Sequence, residues 1–255
     1  MQASINPHSM ASWKDLWPVP AALIIFCAAA FVGLPLYMHM QVSGTTGAYA
    51  PLYLYEHSPY DTIAVEAHYE PGAAPSDNAL AGLREMLEKY TGKRVEVSVY
   101  GDLPKGVVNG PITEDNVGDI GEGILENYSK VQMGWAGGTI PIYIIYVNAT
   151  GPAATGGEND TVVGISYRAD SFFILKNYVD SEGLEKAVLI HETGHLFGLE
   201  HDDDPNCVMS TVMLENKSWE SGGGPPTDFC ANHQKELADR RQDLFYNARR
   251  AITYN

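Results

Sequence analysis

Basic side chains are scarce in this chain: 16 lysines and arginines face 32 acidic residues, for a net charge of −16. The deficit is concentrated in residues 56–234, where 28 acidic groups meet 10 basic ones. Such a body repels a phosphate backbone, which argues against nucleic acid as a partner. Cysteine is scarcer still, with Cys27, Cys207 and Cys230 the full set. No Cys-x-x-Cys pair is present, so a cysteine cage around a metal is not expected. There is no internal repeat. What remains is a chain of 255 residues, 45% of them apolar, enough for one well-cored domain plus an appendage.

The appendage is Val19–Met38, twenty residues without a charge, flanked by Trp17 and Tyr37. At 1.5 Å per residue this matches a hydrocarbon core of about 30 Å, and aromatic flanks suit the two interfaces. The expected organisation is a cytoplasmic segment 1–16, a transmembrane signal-anchor helix 17–40, a linker 41–60 and a folded domain 61–255. A cleaved signal peptide, which would leave a secreted protein, and a buried core helix are the rival readings. Lys14 precedes the span and the next basic residue is Arg84, which favours a cytoplasmic amino terminus and an extracellular domain. Asn-x-Ser/Thr sequons at Asn127, Asn148, Asn159 and Asn216 all follow the span. In an oxidising compartment Cys207 and Cys230 should form a disulfide worth about 3 kcal/mol on a loop-closure argument. Two unpaired buried thiols are the alternative.

Within the domain, Thr62–Tyr69 alternates as a strand, and Asp77 or Asn78 caps a helix with Leu80, Leu83, Met86, Leu87 and Tyr90 on one face and Gly92 at its end. Val95–Tyr100 reads as a second strand. Thr113 to about Lys130 is a weaker helix. Ile140–Val147 is a continuous apolar run, which suits a central strand. Thr161–Arg168 and Ser171–Leu175 follow as strands. Ser181 or Asp180 caps a helix that is apolar on more than one face and so should be buried. Phe229–Arg250 reads as a last helix with Leu237, Leu244, Phe245 and Ala248 inward.

The chemistry sits at the end of the buried helix, where residues 191–202 read His-Glu-Thr-Gly-His-Leu-Phe-Gly-Leu-Glu-His-Asp. Residues four apart share a helix face, so His191 and His195 present two imidazoles to one metal ion. Glu192 stands beside them, within reach of a metal-bound water. Gly198 lets the helix end on a left-handed residue, and the turn returns His201 as a third nitrogen. Three imidazoles and one open position make a catalytic zinc site. Zinc so held lowers the pKa of bound water to about 7.

This stretch resembles the signature of the metzincin metallopeptidases, His-Glu-x-x-His-x-x-Gly-x-x-His, at every fixed position. Met209, in Asn206–Ser210, resembles the methionine turn of that family, with the short spacing of the matrixin branch. Asp202 looks more like the adamalysin branch. Thr211 stands where some branches carry a tyrosine ligand, so three protein ligands are expected. The resemblance implies an α+β fold: a twisted, mostly parallel five-stranded sheet with an antiparallel edge strand, and three main helices. It implies an endopeptidase acting on peptide or protein substrates, with Zn2+ as cofactor and Glu192 as general base, then acid.

By the same resemblance Met209 packs under the ligands and a substrate strand lies along Val162–Tyr167; Gly198 makes the turn, and Asp202 either orients the site by hydrogen bonding or belongs to a plain acidic loop. Ser210–Met213 would border a substrate pocket. Calcium at the acidic run Asp202–Asp204 is a second ion that the resemblance allows. The segment between span and first strand holds no cysteine, so no thiol switch for latency is expected. A non-catalytic binding module on the same fold and a narrow exopeptidase are the alternatives. Membrane contact is expected only through the N-terminal helix. The remaining histidines, His68 and His233 among them, lack metal spacing.

Overall fold

The unbroken apolar run of Gly138–Val147 (β3) can be satisfied only if both of its faces are covered, and that requirement organises the domain. A computed structural model describes residues 43–113, 115–134, 137–151, 162–210 and 224–246. In it β3 is the middle of a five-stranded sheet, and Ile140, Ile142 and Ile144–Val147 are all buried. Tyr60–Tyr69 (β1) and Ser171–Leu175 (β5) flank it in parallel, Arg94–Tyr100 (β2) extends the sheet beyond β1, and Gly164–Ser166 (β4) closes the order β2-β1-β3-β5-β4. β4 pairs antiparallel with β5, as expected of the edge strand, although it is shorter than predicted.

One face of the sheet carries Tyr143, Ile145, Val147, Phe173 and Leu175 into a core with Ile124 and Leu125 of the helix Val117–Tyr128 (α3). The other two long helices of the N-terminal and central chain, Asp77–Thr91 (α2) and Glu182–Leu196 (α4), pack against each other. Ser76 caps α2, accepting from the Ala79 amide, one residue earlier than the sequence suggested. Gly92 ends it at φ 68°, the left-handed cap that was predicted. Ser181 caps α4 as expected, accepting from the Leu184 amide at 3.3 Å. Eleven of the fifteen α4 residues are buried, which is why the helix is apolar on more than one face.

Three features differ from the sequence reading. The stretch 41–60, expected to be a linker, carries the short helix Ala50–Leu54 (α1), and from Ser43 onward it is part of the packed unit. Tyr53 and Leu54 are fully buried, the Tyr53 hydroxyl donates to the Pro141 carbonyl, and the Ser43 carbonyl accepts from Ala169. The aromatic residues there are core anchors rather than a spacer. Secondly, the described residues hold four helices of twelve or more residues, α3, read from the sequence as a weaker helix, standing beside the three main ones. Thirdly, the last helix runs Ala231–Gln242 (α5), and Leu244 and Phe245 beyond it are exposed rather than inward-facing. Of the predicted inward set Leu237 is buried, Leu244 and Phe245 follow the interruption at Asp243, and Ala248 lies outside the described residues.

The predicted transmembrane helix 17–40 lies outside the described residues. Among the described residues no helix is long and apolar enough to cross a membrane.

Candidate metal centre

α4 delivers His191 and His195 one turn apart on the same face, and the chain then reverses at Gly198, φ 76°. A side chain at this position would be strained by the backbone and would meet the Arg240 guanidinium, which donates to the Gly198 carbonyl from α5 at 2.9 Å. The reversal returns His201. Its Nε2 is 3.3 Å from that of His191, which is 3.1 Å from that of His195. Nitrogens bound tetrahedrally to zinc at 2.0–2.1 Å lie about 3.3 Å apart, so the donor set fits the ion.

The tautomers are fixed by carbonyls, which can only accept. His191 donates from Nδ1 to Val208 at 2.7 Å, and His195 from Nδ1 to Leu199 at 3.1 Å. Both therefore turn a bare Nε2 to the common point. Burial, helped by the neighbouring His195, pushes the His191 pKa down to about 3, and burial with His195 lowers His201 as well. These imidazoles are thus neutral, the form that binds metal.

Glu192 is buried beside them, and that burial raises its carboxyl above the usual carboxylate range. Its partner is Ser166 of β4, whose hydroxyl donates to Oε2 at 2.7 Å. Ser166 was not singled out in the sequence, since a lone serine on a strand carries no pattern. Met209 is fully buried under α4 and meets the Cα side of Gly194 so closely that no side chain fits there. The methionine turn is also pinned to the ligand loop, because Asp202 donates its amide to the Met209 carbonyl at 2.9 Å.

Asp202 does not face the three histidines. Its Oδ1 accepts from the Asp204 amide, and its Oδ2 points to a second donor group made with Cys207, Cys230 and His233, whose ligand atoms lie within 4.8 Å of one another. Cys207 and Cys230 are brought together as the sequence predicts, Sγ to Sγ 2.6 Å, but as free cysteines. His233 Nδ1 is 3.3 Å and 3.4 Å from the two sulfurs. His233 therefore joins a metal-ligand group that the sequence reading missed. The available signal was Cys-x-x-His at 230–233, where the first turn of a helix places both side chains together. Asp203 and Asp204 belong to no donor group among the described residues, and nothing in the geometry favours calcium there. Of the predicted pocket wall Ser210–Met213, Ser210 is buried and the remainder lies outside the described residues.

No protein-family model matches the chain. Over 85 residues it is 32% identical to the zinc metalloproteinase-disintegrin-like ammodytagin of Vipera ammodytes ammodytes, a match that covers 33% of this chain and 45% of that protein. Among solved structures, archaemetzincin from Methanopyrus kandleri aligns at 19% identity and a TM-score of 0.48, over 72% of this chain and 97% of that one. Archaemetzincin from Archaeoglobus fulgidus, solved with malonate, aligns at 16% identity and 0.40, covering 70% and 99%. A zinc-dependent peptidase from Methanocorpusculum labreanum aligns at 14% identity and 0.42, covering 68% and 99%. In its ligand motif and methionine turn, the chain is metzincin-like.

Proposed function

We propose that this protein is a zinc-dependent endopeptidase. The observation that carries the reading is the convergence of three imidazole Nε2 atoms beside the helix turn that carries a buried carboxyl group, Glu192. The partial relative named as a zinc metalloproteinase supports the same class. His191, His195 and His201 would hold the ion. Bound there, zinc supplies Lewis acidity toward a scissile carbonyl and a water acidic enough to be deprotonated near neutral pH.

The chain's own groups do the rest. Glu192 accepts the water proton and passes it to the leaving amine, acting as base and then acid. Its raised pKa suits that exchange, since a group that titrates nearer neutrality both takes and returns a proton. The edge strand β4 leaves one side without a strand partner among the described residues, so an extended peptide can add there through main-chain hydrogen bonds. Cys207 and Cys230, whose sulfurs lie 2.6 Å apart, would close a disulfide in an oxidising compartment and hold the methionine turn against α5. The segment 17–40 would anchor the protein in a membrane with this domain outside.

The test is zinc per chain and cleavage of an unstructured protein by the full chain, for wild type and Glu192→Ala. Zinc in both with cleavage by wild type alone is the expected result. Zinc in both with cleavage by neither favours a binding module, and cleavage only from a terminus favours an exopeptidase. A folded wild type that binds no zinc would sink the reading.

A further inference from the structure

Strand alternation places Gly164 and Ser166 on the α4 face of β4, while Ile165 turns to the opposite core. Both residues touch the same group. Ser166 Oγ lies 2.7 Å from Glu192 Oε2 and 3.1 Å from the Glu192 carbonyl; with one proton to give, the hydroxyl donates to the charged, nearer oxygen. At Gly164 an added Cβ would come within 2.5 Å of Glu192 Oε1 and 2.8 Å of its Cγ, so the other oxygen is seated directly on the strand backbone. Gly164 has no left-handed φ, so its glycine is required by this approach and not by a turn.

We infer that Gly164 and Ser166 form a cradle that sets the position of the Glu192 carboxylate, with Ser166 the positioning residue. This deepens the peptidase reading and rests on it for its kinetic part. A carboxylate on a three-bond side chain has several rotamers open to it. The cradle leaves one, with Oε2 engaged by the hydroxyl and the remaining lone pairs free for proton transfer. It also ties the base to the strand on which a substrate would be laid, so that base and substrate share one frame.

Two readouts test this in the full chain. First, kcat, KM and zinc content are measured for wild type, Ser166→Ala and Ser166→Thr. Ser166→Ala is expected to lower kcat by roughly 10- to 100-fold, with KM and zinc content unchanged to within about twofold. Ser166→Thr, which keeps the hydroxyl, should restore most of kcat. Secondly, thermal midpoints are compared for Ser166→Ala in the wild-type and Glu192→Ala backgrounds. The midpoint should fall by about 3 °C in the first and hardly at all in the second, because the hydroxyl's partner is already gone. A Ser166→Ala enzyme with wild-type kcat, a Thr variant as impaired as Ala, or equal midpoint shifts in both backgrounds would overturn the cradle. If wild type itself cleaves nothing, the peptidase reading fails and the thermal comparison alone decides the cradle.

Discussion

Two donor groups lie next to each other along the chain and differ in almost every respect that matters for a metal. His191, His195 and His201 are all nitrogen donors, and the third is exposed. Asp202, Cys207, Cys230 and His233 are a mixed set with three potential anions, and none is fully exposed. A doubly charged cation keeps its charge among imidazoles and can polarise water or a carbonyl. Two thiolates bound tetrahedrally to zinc at about 2.3 Å lie about 3.7 Å apart, whereas these sulfurs are 2.6 Å apart. The first set fits the ion as it stands; the second stands nearer to a disulfide than to a zinc site. Burial and the adjacent Cys207 sulfur push the Cys230 thiol up to about 12. The backbone joins the groups twice, at His201–Asp202 and at Cys207–Met209, where the Val208 carbonyl also orients His191. A brace on one therefore steadies the other.

The strongest break in this comparison is chemical. Glu192→Ala should reduce kcat by roughly 10²–10⁴-fold and leave the zinc in place, whereas His195→Ala should remove the zinc along with the activity. Next comes the second group. Cys207→Ser is expected to leave one zinc per chain and to lower the thermal midpoint by roughly 10 °C through loss of the disulfide. Two zinc ions per wild-type chain, with both thiols free, would instead give the second group a metal.

A smaller effect follows from protons. In the metal-free chain His191 titrates near 3 against an ordinary 6.5, so below 6.5 the unfolded chain binds a proton that the folded one refuses. Its contribution is complete above pH 6.5 and is lost as pH falls toward 3, about 1.5 kcal/mol of it between pH 6.5 and 5. His201 adds in the same direction. Glu192, raised instead, has the opposite sign: its contribution is present below its ordinary value and lost as pH rises through the raised one. Urea unfolding of the metal-free Glu192→Ala protein at pH 6.5 and 5 removes the opposing carboxyl; equal stability at the two pH values there would refute the lowered histidine pKa. Smallest is the capping serine. Ser181→Ala should cost about 1 kcal/mol by leaving the α4 amides short of an acceptor, with no change in metal content.

The sequence alone placed His191, His195 and His201 together, because helix periodicity and one glycine fix where three nearby side chains must go. It also located the sheet strands and the caps at Gly92 and Ser181, which are set by residues adjacent in the chain. Gly198 was legible for the same local reason, since few residues other than glycine tolerate φ 76°. The tertiary structure decided what depends on residues far apart. Ser166 reaches Glu192 across 26 positions, Arg240 reaches Gly198 across 42, and His233 reaches Cys207 across 26. The buried Tyr53, which turned a predicted linker into core, finds its acceptor 88 residues away. No local pattern announces such pairs. Their geometry exists only once the sheet has brought the segments together, and so the histidines could be read from the sequence while the groups that hold them in place could not.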